Sequence, residues 1–130
     1  MFQCRPMSEA PVTGKGGAGR TYTIFLHFTA LPAWLALTRS ERGAVIERHV
    51  RPLLERYAGT TRLDWFDAEA WSASPTDVAV VTTTDMGDWY DLWEGLRDTP
   101  LFGVPYFRHE QTITTVGDGF ADYERRNAPS

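Results

Sequence analysis

The sequence predicts an α+β fold of the ferredoxin-like type, βαββαβ, with a four-stranded antiparallel sheet and two helices on one face. Three observations carry that reading. Residues 20–30, "RTYTIFLHFTA", alternate, with Ile24, Leu26 and Phe28 on one side and Thr23, Phe25, His27 and Thr29 on the other. Two segments, about 39–57 and about 86–98, repeat apolar residues every three to four positions behind a capping residue. Between them, an alternating "RLDWFD" and a β-branched "DVAVVTTT" flank the turn signal "SASPT".

Each element follows from local chemistry. After the first strand, "LPAWLAL" reads as a turn or short helical segment. Thr38 and Glu41 then form a capping box, the hydroxyl accepting from an N–H while the carboxylate reaches back. The helix it opens buries Val45, Ile46, His49, Val50, Leu53, Leu54 and Tyr57, and Gly59 stops it. Pro52 cannot donate to the carbonyl of Arg48, so this helix is expected to bend or restart there. In the second strand Leu63 and Trp65 oppose Asp64 and Phe66. Asp85 caps the second long helix, whose stripe is Trp89, Leu92, Trp93 and Leu96. "DTPLFGVP" breaks it, "YFRHEQTITTV" is the last strand, and "GDGFADYERR" is a tail able to form a short helix. The domain is expected to span 20–126, after a flexible leader at 1–19 and before a frayed tail at 127–130. With both helices on one face, Phe25 and Phe66 fall on the bare side of the sheet. A two-fold partner, as in a dimeric α+β barrel, is the expected cover.

Composition narrows the function. A chain of 130 residues with 42% apolar residues and five Trp can build one packed core. Its net charge of -4 and lack of a basic stripe argue against a nucleic-acid surface. No apolar run approaches the ~20 residues of a membrane span. Cys4 alone forms neither an internal disulfide nor a cysteine-rich metal site, which fits a reducing cytoplasm. The stretch "TGKGGAGRT" matches GxGxxG at Gly14, Gly16 and Gly19, and approximates a phosphate loop with Arg20 in the lysine position. A nucleotide loop must follow a strand and open a helix. Here the glycines follow a polar, proline-containing stretch and precede a strand, so the nucleotide reading is rejected.

From Tyr22 onward the chain resembles the darcynin family of small bacterial proteins. The resemblance rests on "TIFLHFTALPAWLALTRSER", "RPLLERY", "FDAEAWSASPTDVAVV", "WEGLRDTPLFGVPYF" and "GDGFADYE", and spans about residues 21–124. It implies the ferredoxin-like fold. It also brings in the dimeric α+β barrel group, which includes cofactor-free monooxygenases, isomerases, decarboxylases and haem enzymes. No catalytic motif of that group transfers here residue by residue.

Candidate chemistry falls on few residues. His27, on the polar-alternate side of its strand, is the leading acid/base; its other role is a hydrogen-bonded histidine at a dimer contact. His49 lies on a helix stripe, where a satisfied core histidine is the alternative. His109 shares a side of the last strand with Phe107 and Ile113 by simple alternation, and would share a cavity with His27 if their strands pair. Asp64 is the carboxylate expected to face a pocket, while Asp67, Glu69 and Asp77 read as turn-forming groups. Phe25, Trp34, Trp65 and Phe66 are the expected substrate-binding side chains, with Trp34 as a lid. The histidine spacing gives no metal site. The leading expectation is therefore a small cofactor-independent enzyme with an apolar pocket between sheet and helices or between subunits. Its substrate would be a small conjugated or aromatic molecule, as in secondary metabolism. Isomerisation, cyclisation, decarboxylation and oxygenation stay open. The alternatives are a non-catalytic ligand-binding or interaction dimer and, more weakly, a haem protein.

Overall fold

The structure, a computed structural model, describes residues 5–6 and 20–129. The glycine motif, Cys4 and most of the leader lie outside them. Five strands form one antiparallel sheet: β1 (Arg5–Pro6), β2 (Tyr22–Ala30), β3 (Thr61–Asp67), β4 (Asp77–Thr83) and β5 (Phe107–Val116), in the order β1-β3-β4-β2-β5. The four longer strands are the four the sequence predicts. The two-residue β1 extends the edge beyond β3.

The helices that precede β5 gather on one face of this sheet. A short α1 (Pro32–Leu35) follows β2, and then comes α2 (Arg39–Val45). The Thr38 hydroxyl accepts from the Glu41 N–H at 3.1 Å, and the Thr38 N–H donates to the Glu41 carboxylate at 2.8 Å. Beyond α2 the chain does not bend at a point but widens into a π-helical turn, Ile46–Val50, before α3 (Arg51–Arg56). Pro52 leaves the Arg48 carbonyl without its usual donor. Next to it, the Arg51 N–H bonds five residues back to Ile46, the spacing of a π-bulge. The second long helix, α4 (Met86–Arg97), starts where Asp85 accepts from the Asp88 N–H at 3.0 Å. Gly95 lets α4 run close to α3, since a Cβ there would stand 3.0 Å from Leu53. The short α5 (Pro100–Gly103) precedes β5, and α6 (Gly119–Arg126) follows it.

Sheet and helices share one core. Ile24, Leu26 and Phe28 from β2, Leu63 and Trp65 from β3, and Ala79 and Val81 from β4 all point to the helices. Val50, Leu54, Trp89, Leu92 and Leu96 meet them from the other layer. Each large apolar side chain among these, fully buried, stabilises the fold by about 1.5–3 kcal/mol.

The other face carries three cross-strand rows. Phe66, Val78, His27 and Gln111 align in one; Asp64, Val80, Phe25 and Ile113 in the next; Arg62, Thr82, Thr23 and Thr115 in the third. Phe66 and Ile113 remain 42% and 41% exposed.

Candidate functional site

Phe28 sits at the centre of the aromatic side of the core. Trp65 stacks on it at 5.1 Å with planes 3° apart. Phe102, Trp93 and Phe107 surround it at 5.5, 6.2 and 6.5 Å, and the His109 ring stands at 5.8 Å. Beside this cluster lies a cavity of about 10 Å³, lined by apolar side chains that include Phe28, Val50, Trp65, Trp89, Trp93 and Phe102. That volume matches about one water molecule, and apolar walls give a water nothing to bond.

The cage is dry inside and wet at one edge. Strand β5 is a sheet edge, and its residues from Arg108 to Thr115 are exposed on both faces. Trp93 and Phe102 are accordingly only half-buried. His109 lies at that rim, its ring against Trp93 at 5.2 Å, with Nε2 sharing a 2.6 Å hydrogen bond with the Thr112 hydroxyl. Desolvation holds its pKa below the ordinary imidazole value, and the Arg97 guanidinium adds to this. A backbone hydrogen bond at Gln111 and the Glu110 carboxylate oppose the shift.

A β-bulge decides which histidine reaches the cage. His27 pairs with Gln111, yet the next residue, Phe28, pairs with His109, so Glu110 is the extra residue. Simple alternation would put His109 and Ile113 on one side. The bulge instead turns Phe107 and His109 to the helices and leaves Ile113 on the open face beside Phe25. His27 and His109 therefore lie on opposite faces of the sheet and share no cavity, correcting that expectation.

Other expected site residues separate in the same way. His27, Phe25 and Phe66 are together, but on the open face. Asp64 is there too, paired with the Arg62 guanidinium at 3.1 Å, and does not line the cavity. His49 is half-buried in the π-helical turn and lines no part of the cavity. Trp34 is not a lid. At 1% exposure it is a core residue packed on Phe107 at 5.0 Å and Tyr106 at 5.4 Å, with the Arg42 guanidinium over its ring. Among the four expected binding side chains, Trp65 alone lines the cavity.

Asp77, which the sequence pattern presents as a turn former, is instead a buried carboxylate. It begins β4 and is 1% exposed. Its Oδ2 accepts from the Trp65 indole N–H at 2.8 Å and its Oδ1 from the Thr76 hydroxyl at 2.6 Å. Burial pushes its pKa up, the Thr76 and Trp65 hydrogen bonds pull it back, and the charge of Asp67 adds to the rise. A signal for this exists in the sequence: Asp77, Ala79 and Val81 share the inward parity of a central strand, where a carboxylate demands partners. Across the sheet, Asp77 and His109 are the direct neighbours of Phe28 on either side. Among the described residues no group of three metal-ligating side chains comes together, and no helix is long and apolar enough to cross a membrane.

Comparison with known proteins identifies the family. A family described as "Darcynin, domain of unknown function" matches residues 12–129. The chain belongs to the darcynin family. Its similarity to Darcynin 1 of Acinetobacter baumannii is 33% identity over 90 residues, covering 69% of this chain and 99% of the relative. Darcynin of Chromobacterium violaceum is 43% identical over 79 residues, covering 61% of this chain and 99% of the relative. The darcynin match thus begins earlier than the resemblance read from Tyr22 onward. Among solved structures, chlorite dismutase from Candidatus Nitrospira defluvii in complex with imidazole superposes with a TM-score of 0.70 at 17% identity. That superposition covers 88% of this chain and 47% of the other. A structure described as a novel heme-binding protein from Thermus thermophilus gives 0.64 at 13% identity, covering 75% of this chain and 40% of that one. The chain therefore spans less than half the length of these structural neighbours, and the likeness shows the fold alone.

Proposed function

We propose that this darcynin binds a small conjugated or aromatic molecule in the cage around Phe28 and exchanges a proton with it through His109, without a cofactor. The observation that supports this is the apolar cavity walled by Phe28, Trp65 and Trp93, with one imidazole at its wet rim. Flat guests suit such walls, because stacked and edge-on rings gain about 0.5–1.5 kcal/mol beyond area burial. The imidazole, its pKa held low, is neutral at pH 7 and takes the role of base. The resting cavity of about 10 Å³ is too small for a ring, so a guest enters by pushing the half-buried Trp93 and Phe102 outward. The reaction class within proton transfer, isomerisation or decarboxylation is left to the guest. Indole and phenol are the probes. Titrated into isotopically labelled protein, they are expected to move the resonances of Phe28, Trp93, Phe102 and His109. His109→Ala is expected to retain indole and to lose the pH dependence of phenol binding. Shifts confined to the open sheet face, or none, overturn the reading.

A second reading concerns assembly, and the rows on the open face favour it. Phe25, Phe66, Val78, Val80 and Ile113 form an apolar field around His27 on the face of the sheet opposite the helix-packed core, with Phe66 and Ile113 exposed. We infer that two copies pack these faces together in a two-fold dimer, with His27 at the contact. A haem in the helix-side cavity is a poorer fit. The macrocycle exceeds the resting cavity of about 10 Å³ far more than a single aromatic ring does. A Soret band in the purified protein would reverse that judgement.

A further inference from the structure

We propose that Asp77 is a positioning residue for the aromatic cage: its carboxylate holds the Trp65 ring flat against Phe28, and taking up a proton loosens that hold. The consequence for guests rests on the cage reading above; the positioning itself does not.

The geometry is a short relay. The Trp65 indole N–H donates to Asp77 Oδ2 at 2.8 Å, and the ring lies 3° from the plane of Phe28. The Thr76 hydroxyl donates to Asp77 Oδ1 at 2.6 Å and accepts from the Ala30 N–H at 2.7 Å. Its second possible acceptor is the Phe28 carbonyl, at 3.4 Å. The ionised carboxylate thus accepts from both neighbours, and such charge-assisted bonds are roughly twice as strong as neutral ones.

A proton arriving from solvent on Oδ1 changes each bond in turn. The new Asp77 O–H donates to Thr76 Oγ1, which cannot also donate to it. The Thr76 hydrogen turns to the Phe28 carbonyl. Trp65 keeps an acceptor, but a neutral and weaker one. Protonation therefore touches both faces of one stacked pair, the indole of Trp65 through Oδ2 and the backbone of Phe28 through Thr76.

The carboxylates around Asp77 favour this uptake. Asp67 stands directly across on β3, and Glu69 follows in the next loop, close enough for Asp67 and Asp77 to raise its own pKa beyond the effect of burial. From β2 the facing residue is Phe28, which carries no charge. Burial of Asp77 acts in the same direction as these carboxylates.

The test follows the indole N–H of Trp65, assigned by loss of its signal in Trp65→Phe. In the wild type this resonance is expected to move with pH, with a midpoint above the ordinary aspartate range. Asp77→Asn keeps an acceptor for the indole without a titrating group, so the movement should vanish while the fold persists. Thr76→Val removes the relay to Phe28 and should shift the midpoint. Indole is the guest probe: its affinity should change by about two- to tenfold across the same pH interval in the wild type and stay flat in Asp77→Asn. A Trp65 resonance that ignores pH, or titrates unchanged in Asp77→Asn, overturns the proposal. A titrating Trp65 with no indole binding at any pH leaves Asp77 as positioned here and overturns the cage reading instead.

Discussion

At the scale of single residues, His109 and Asp77 have opposite linkage to stability, although both owe their shifts first to desolvation. His109 resists protonation in the fold, so its imidazole should titrate below about 6.5, the ordinary value. A two-dimensional NMR titration reads this directly. Trp93→Ala strips away the ring that desolvates it and should return the midpoint toward 6.5. Asp77 resists ionisation. Its contribution is present below about pH 4, where the unfolded chain is protonated as well, and is lost as pH rises through the higher folded value. Asp77→Asn should therefore flatten the fall in stability as pH rises above about 4, and lie within about 1 kcal/mol of wild type at pH 7. Asp77→Ala removes the acceptor that the Trp65 N–H meets at 2.8 Å and should lose about 1–3 kcal/mol at every pH. Urea unfolding at several pH values separates the two variants. Phe28→Ala, which empties the centre of the cage, should cost about 3–5 kcal/mol in the same assay.

At the scale of elements, the sequence is most legible where one local rule acts without competition. Thr38 and Glu41 form the capping box their spacing announces, and Thr38→Ala should lower stability by about 0.5–2 kcal/mol, measured by the urea midpoint. Strand β2 alternates as read, burying Ile24, Leu26 and Phe28. Pro52 does interrupt its helix, but the choice of a π-helical turn over a kink depends on packing that the proline alone does not encode. The candidate site is less legible, for two physical reasons. Parity counts along β5 fail at Glu110, because a bulge is a property of the pairing and not of one strand. That single extra residue moves His109 to the cage and separates it from Ile113 and His27. Trp34 misleads because a tryptophan after a proline in a short segment resembles a lid; only the tertiary contacts with Tyr106 and Phe107 bury it. Asp77 is hidden by its position: it opens the predicted strand directly after "SASPT", where a carboxylate also suits bonding to turn amides, and only the indole of Trp65 across the pair shows its inward role.

At the scale of the whole molecule, the two faces of the sheet differ: one packs on helices, and the other carries the proposed contact between copies. One face is closed by helices and holds the cage. The other presents Phe25 between Val80 and Ile113, and His27 between Val78 and Gln111. Large apolar patches on a monomer usually mark a contact site. A two-fold axis would set this field against itself, so that each copy buries the other's Phe25 and Ile113. Sedimentation equilibrium of the wild-type protein should give twice the chain mass at micromolar concentration. Phe25→Arg places a like charge on both sides of such an axis and should yield monomers. The side chain points away from the helices, so unfolding midpoints in the dissociated state should change little. Ile113→Arg, at the cross-strand neighbour, should repeat the effect, whereas Arg97→Ala on α4, at the other layer, should not. If the wild type sediments as a monomer, or if Phe25→Arg and Ile113→Arg dimerise as well as it does, the open face is not the contact and His27 has no interface to serve.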